Sequence, residues 1–508
     1  MNGTRIATAV ASTAMIAVTL TACTGTQGDD STPASGEDAL DIGNFLDVTS
    51  WDPALADIGF DGPYLSAVYD ALIALDENGD PIPSLATGWT VADDDLSIDL
   101  DIRTGVEFSD GVPLDADAVV ANLEHLKNGA RSGEGYLSVD SFEAIDDDTV
   151  RIILTERDDT ILYFMGLGRS YMASPEAIEA GMLSQQPVGS GPYTLDDVAS
   201  VPGAEYHFEK VADHWDAETY PFADLAIYPI QDQTARHNAM LSGQINVNYA
   251  DATQIDQAEE QGWNVSSGVS GWVGLQFTEH TGEKNPALGE VEVRQAIAHA
   301  IDGAAILDSV GSGAGVVSNQ VFPDGGAANV PAVDEEYAYS VEEAKRLLDE
   351  AGYPDGFEVT MPMSPIFQQW QPAAQQAFDD IGISVTWDDM QQPDYQLNAA
   401  SYPMFIAFLA MDGNPVATLA RQVTSPQWFN PEPDYVEFPE IGELVDEAQT
   451  LRGEAQIAAI AEVNEKLTEM AWWNVWYQAE NIYFSADSIE VQPVVGMMFP
   501  TLRYIQQG

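Results

Sequence analysis

A single cysteine, Cys23, closes the run Leu20-Thr21-Ala22-Cys23, so no internal disulfide can form. The six histidines, at 125, 207, 214, 237, 280 and 299, make no His-x-x-x-His or Glu-containing metal motif. Pro187-Val188-Gly189-Ser190-Gly191-Pro192-Tyr193 lacks the Gly-x-Ser-x-Gly spacing of a serine-nucleophile elbow and reads as a tight irregular loop with exposed amides. Gly311-Ser312-Gly313-Ala314-Gly315 lacks the Lys-Ser or Lys-Thr of a phosphate loop and reads as a mobile loop. Asp76-Glu77-Asn78-Gly79-Asp80 offers oxygens at the first, third and fifth positions of a calcium loop. Pro81 and Thr87 stand where such a loop needs Gly and Glu, so a turn is expected. No catalytic residue, metal site or cofactor is predicted. A secreted glycoside hydrolase stays open as the enzyme alternative, because paired carboxylates cannot be diagnosed where acids are this abundant.

Binding residues are easier to nominate. Asp412 follows the apolar stretch Phe405 to Met411 and precedes Gly413-Asn414-Pro415, so its carboxylate is expected at the mouth of a strand. There it could gain about 4 kcal/mol against an ammonium group about 4 Å away at an effective dielectric near 20, before desolvation. The alternative is a carboxylate that caps a turn. Arg421 could receive a ligand carboxylate or serve as an ion-pair partner. Trp272, Trp428 and Tyr64 offer flat faces to side chains, sugars or cations. Core packing is the alternative for each.

The elements that carry these residues begin after an export signal. Met1 to Arg5 holds one positive charge, and Ala7 to Leu20 has none, an order typical of a cleaved leader and too short for a permanent membrane span. Leu20-Thr21-Ala22-Cys23 resembles a bacterial lipobox, which implies a cut after residue 22 and a diacylated Cys23 that tethers the chain to a membrane. Residues 23–38, rich in Gly, Ser, Thr, Pro and acid, read as a flexible tether. The remainder is long enough for two lobes or more.

Charge excludes one class of partner. Against 17 Lys and Arg stand 83 Asp and Glu, a formal net charge of -66, and nucleic-acid binding needs the reverse. The acids are spread along the chain, which favours adaptation to a salty solvent over a field that gathers a cationic ligand.

From residue 39 the pattern is that of a mixed α/β chain. Apolar residues at Leu65, Val68, Leu72 and Ile73 predict a helix over 64–75, and strict alternation over Leu96–Ile102 predicts a half-buried strand. Asp115 is expected to cap a helix that buries Val119, Leu123 and Leu126. Thr234 is expected to cap another, and Ser340 with Glu343 a third, through a capping box. Val293, Ala296, Ile297, Ala300 and Ile301 fall on one helical face, so Arg294 need only be structural.

Four segments in order then resemble one family: Pro187 to Tyr193; Ala235-Arg236 through Ile245; Val293 to Ile297 with Ile301-Asp302; and Glu343 through Phe357. They resemble the family 5 extracellular solute-binding proteins of ABC importers, the peptide, opine and nickel group. The resemblance implies an α/β, two-lobed periplasmic-binding-protein-like fold of type II, cluster C, with an extra inserted N-terminal subdomain. The corresponding division is lobe I from residues 39–80, 187–268 and 478–508, an α+β subdomain from 81–186, and lobe II from 269–477. It further implies an extracytoplasmic, monomeric receptor that closes on a small solute, most simply a short peptide, and presents it to permease subunits. Asp412 would then hold the ligand's amine, and Trp272 would lie beside it, just past the first crossing between lobes. Oligosaccharides, opines and chelated metal remain open as cargo, and a chaperone or pheromone receptor would share the architecture.

Overall fold

The computed structural model describes residues 38–508; the leader, Cys23 and the tether to residue 37 lie outside the described residues. Two long strands, Asn264–Phe277 and Trp473–Ser485, pair antiparallel along most of their length and form the spine of the structure. Through Phe277 and Trp473 at one end, and Asn264 and Ser485 at the other, they belong to a nine-stranded mixed sheet. Its order is Met404–Ala410, Asn264–Phe277, Trp473–Ser485, Val247–Ala250, Ala39–Asn44, Asp224–Pro229, Tyr206–Lys210 and Tyr193–Leu195, with the short Gly315–Val316 added beside Trp473–Ser485. Within this sheet the parallel pairs are those of Ala39–Asn44, with Asp224–Pro229 on one side and Val247–Ala250 on the other.

Among the described residues, the three largest of five hydrophobic cores organise the fold. One draws its buried residues from Trp272 to Tyr477. A second combines Leu40 to Tyr69, Tyr171 to Val247 and Tyr483 to Ile505. The third lies under a separate four-stranded antiparallel sheet, in the order Ala86–Val91, Ser97–Ile102, Thr149–Leu154 and Val139–Asp146, against which the helix Ala116–Lys127 packs. Where the long strands pass from the first core to the second, their register shifts: Val269 faces Glu480, Gly271 faces Ala479, and Ser270 is the extra residue. A bulge of this kind bends a strand pair locally.

Local chemistry accounts for the elements. Ile98, Leu100 and Ile102 are buried and the residues between them are not, so the alternating stretch is a strand with one wet face. The Asp115 side chain accepts from Ala118 N at 2.9 Å, and Val119, Leu123 and Leu126 face inward from the helix it caps. Ser340 caps Val341–Glu350 through Glu343 N at 3.2 Å. The reciprocal half of the capping box is absent, because Ser340 N donates to His299 O and the Glu343 carboxylate is taken by Arg346. Asp232, not Thr234, caps Gln233–Leu241, accepting from Ala235 N at 2.7 Å.

The helix expected over 64–75 runs instead over Ile58–Val68, capped by Asp57, and Ile73–Leu75 is a strand paired with Pro81–Pro83. Residues 61–68 are buried all round, so no periodic stripe marks the helix in the sequence. The Pro187 to Tyr193 loop lies directly on its end: a Cβ on Gly189 would stand 2.1 Å from Val68 O, and one on Gly191 2.4 Å from Val68 C. Only glycine permits that approach. Arg294 is fully buried and donates to the carbonyls of Leu288, Met470 and Ala471, and burial pulls its pKa down to about 10. Among the described residues no helix is long and apolar enough to cross a membrane.

Candidate functional site

A cavity of about 830 Å³ opens where the first and third cores face each other, within the roughly 300–1,000 Å³ typical of small-molecule sites. The turn Glu77 to Asp80, the four-stranded sheet at Val91, Ile98 and Leu154, and the segment 157–162 form one side. The loop Pro323 to Ala327, the turn Gly413 to Val416 and the helix start Arg452 to Ile457 form the other. Each piece is placed by ordinary backbone chemistry. Asp76 Oδ1 accepts from Asn78 N and Asp80 N and folds the first turn. Asp324 N donates to Gln478 Oε1 at 2.8 Å, fastening its loop to the returning long strand. Asn414 Oδ1 accepts from Val416 N and Ala417 N, starting the short helix Pro415–Leu419.

Polar contacts join the two sides. Arg452 Nη2 reaches Asp95 Oδ2 at 2.5 Å, and its Nη1 lies 3.8 Å from Asp159. Gln456 donates to the same Asp159 at 3.1 Å. From the opposite side Arg157 pairs with Asp159 and donates to the carbonyls of Gln449 and Leu451, at the C-terminal end of the helix Pro439–Thr450. A cation is favoured there by the unsatisfied carbonyls of the helix end.

None of the five residues nominated from sequence lines this cavity. Asp412 and Arg421 come together. Asp412 is buried, with Arg421 Nε 2.8 Å from its Oδ2 and Nη2 3.0 Å from its Oδ1. The Tyr163 hydroxyl donates to Asp412 Oδ1 at 3.2 Å and accepts from Gly413 N at 3.1 Å, so this pair ties the turn to the opposite side. Burial raises the Asp412 pKa, and Arg421 opposes the shift. Phe164 lies beside the guanidinium groups of Arg169 and Arg421, at 5.2 and 5.7 Å from its ring centre.

The aromatic residues separate. Trp272 is fully buried in the long strand opposite Leu409 and Gln478, in the first core. Tyr64 is fully buried in the second, with Trp51 and Tyr206 edge-on and its hydroxyl donating to Leu46 O; burial pushes its pKa up. In this conformation neither presents a face to a ligand. Trp428 is 38% exposed and its ring lies 5.9 Å from Phe405.

Ser190, His214 and Asp70 meet, but not as a catalytic relay. Ser190 Oγ donates to Asp70 Oδ2 at 3.0 Å, His214 Nε2 lies 3.2 Å from both Asp70 oxygens, and Trp215 Nε1 donates at 2.9 Å. A nucleophile needs the base against its own hydroxyl, whereas here both groups serve one buried carboxylate that stitches the loop to the helix Ile58–Val68. Among the described residues no group of three or more His, Cys, Asp or Glu is placed to hold a metal ion.

Sequence does not nominate Arg157, Arg452 or Asp324, and it reads Glu77 and Asp80 only as parts of a turn. With so few cations in the chain, each arginine not used elsewhere carries information, and that scarcity was the available signal for Arg157 and Arg452.

Comparison with known proteins places this geometry. Residues 80–430 match the family model described as bacterial extracellular solute-binding proteins, family 5 middle. The chain is 29% identical over 344 residues to the heme-binding protein A of Haemophilus influenzae, covering 60% of each. It is 26% identical over 323 residues to the glutathione-binding protein GsiB of Escherichia coli K12, covering 62% of this chain and 61% of that one. The match thus spans about 60% of the length of these relatives.

Among solved structures, HbpA2 from Haemophilus parasuis superposes with a TM-score of 0.80 at 21% identity, over 92% of this chain and 100% of that one. The dipeptide-binding protein from Pseudoalteromonas sp. SM9913 in complex with Met-Leu gives 0.71 at 19%, over 92% and 100%. The fold is the two-lobed α/β fold of periplasmic binding proteins, and the chain belongs to the bacterial extracellular solute-binding proteins of family 5.

Proposed function

We propose that this chain is the receptor of an ABC importer. It captures a short peptide in the cavity by hinge closure, delivers it unchanged to membrane permease subunits, and is held outside the cytoplasm as a monomer by a lipidated Cys23. The observation that carries the reading is the cavity itself, which lies between two sides bridged by side-chain contacts that a hinge motion can break and remake. The proposed hinge lies at the bulge near Ser270 and its partners Ala479 and Glu480, so that 269–477 moves as lobe II against 39–80, 187–268 and 478–508, with 81–186 riding as the inserted subdomain. The exposed Gly325 on the cavity wall suits main-chain pairing with a peptide, which accepts varied side chains and leaves water to fill unused room.

Asp412 and Arg421 support the site from behind in this proposal. They fix the turn whose next residues, Gly413 to Val416, form the wall. Isothermal titration with a tripeptide series tests the reading: saturable binding with the peptide recovered intact supports it, and recovery of a cleaved or altered compound contradicts it.

A further inference from the structure

We propose that the cavity is selective for ligands that carry positive charge, and that Glu77, Asp80 and Asp324, not Asp412, supply the attraction. The inference rests on the cavity being the ligand compartment and adds the chemical class of its occupant.

Six carboxylates line the cavity wall, from Glu77, Asp80, Asp95, Asp158, Asp159 and Asp324, against two guanidinium groups, from Arg157 and Arg452. Both arginines are already engaged: Arg452 by Asp95 and Asp159, and Arg157 by Asp159 and two helix-end carbonyls. An anionic ligand therefore finds no free cation among the described residues of the wall.

The carboxylates divide differently. Asp95 and Asp159 are matched by those two arginines, and Asp158 accepts from Ser138 and Thr160. Among the described residues, Glu77, Asp80 and Asp324 have no Lys, Arg or His within 4.0 Å, and Glu77 Oε2 accepts a long bond from Gln492 Nε2 at 3.4 Å. Partial burial and the neighbouring Asp76 raise the Asp80 pKa. Charges facing a partly enclosed space with apolar walls at Val91, Ile98, Leu154 and Ile457 act on a ligand with less screening than the same charges on open surface.

Asp412 cannot take this role in the described conformation. It is 1% exposed, paired with Arg421, and absent from the cavity wall. An ammonium group arriving there would have to displace a guanidinium.

The test is titration calorimetry with Ala-Lys-Ala, Ala-Ala-Ala and Ala-Glu-Ala, with spermidine as a cation that is not a peptide, on the native chain and on the double variant Asp80→Asn with Asp324→Asn. Both positions are exposed, so the variant is expected to fold, which circular dichroism checks. The expected result is at least a tenfold preference for Ala-Lys-Ala over Ala-Glu-Ala, equivalent to about 1.4 kcal/mol. The preference should fall below threefold in the double variant while Ala-Ala-Ala affinity is little changed. Equal binding of the three peptides, or a preference untouched by the double variant, overturns the charge inference and leaves the peptide reading standing. Spermidine binding that the double variant abolishes, with no peptide bound, upholds the charge inference and removes the peptide reading. Failure of all four probes overturns both.

Discussion

Removing either member of the Asp412–Arg421 pair should destabilise the protein, and the two removals should differ in size. Asp412 is 1% exposed on its side chain and Arg421 25%. Arg421→Met strands a carboxylate that water cannot reach, so the full cost of breaking a buried pair applies, about 3–5 kcal/mol. Asp412→Ala strands a guanidinium that is partly wet, which puts its cost near the lower end, about 3 kcal/mol. Tyr163→Phe deletes one donor to Asp412 and one acceptor for Gly413 N and should cost about 1 kcal/mol. An unfolding entropy of about 1 kcal/mol/K for a chain of this length converts these figures to Tm shifts of roughly 4, 3 and 1 °C by calorimetry.

The pH dependence follows from the raised Asp412 pKa. The folded state binds that proton more tightly than the unfolded chain does. The group's contribution to stability is therefore fully present below the unfolded carboxylate pKa and is lost as pH rises through the folded value. Arg421→Met raises the folded value further, so its deficit relative to the native protein should shrink between neutral and mildly acidic pH. A smaller loss for Arg421→Met than for Asp412→Ala would refute the structural role. So would an Asp412→Ala variant of unchanged Tm whose peptide affinity drops more than tenfold, which would return the carboxylate to direct ligand contact.

Other consequences can be checked independently. A net charge of -66 makes self-repulsion large at low ionic strength, and raising salt from 0.1 to 1 M shortens the Debye length from about 10 to about 3 Å, so Tm should climb with salt; a flat or falling Tm contradicts adaptation to a salty solvent. Arg452→Ala removes two contacts between the cavity's sides, and because its side chain is 43% exposed the loss should be at most about 1 kcal/mol, read by stopped-flow fluorescence as a ligand off-rate up to about fivefold faster. An unchanged off-rate would mean that closure does not use this contact. Cys23→Ala should move the protein from the membrane fraction to the medium or periplasm, and retention on the membrane would argue against a lipid anchor at that residue.

Sequence was a good guide where the determinant was local. Alternation over 96–102 and the side chains of Asp115 and Ser340 specified a strand and two helix starts, because each depends on residues within one turn or one strand. The helix Ile58–Val68 falls outside the expected bounds because residues 61–68 are all buried, with Tyr206 and the Pro187 to Tyr193 loop among their neighbours, so burial leaves no periodic stripe. The cavity was the least legible part. Its wall takes a few residues from each of several segments between Glu77 and Val495, and 83 acidic residues conceal which of them face inward. Asp412 drew notice for its apolar approach. That same setting buries it, and burial is what requires Arg421.

The central claim is that the cavity between the two sides holds the ligand, and filling it tests that most directly. Ala327 lines the cavity and is exposed, so Ala327→Trp can occupy the space without entering a core. Titration calorimetry of this variant against a tripeptide that binds the native chain should show affinity reduced at least a hundredfold, with Tm within about 1 °C of native. Native affinity in the folded variant would place the ligand elsewhere and contradict the account.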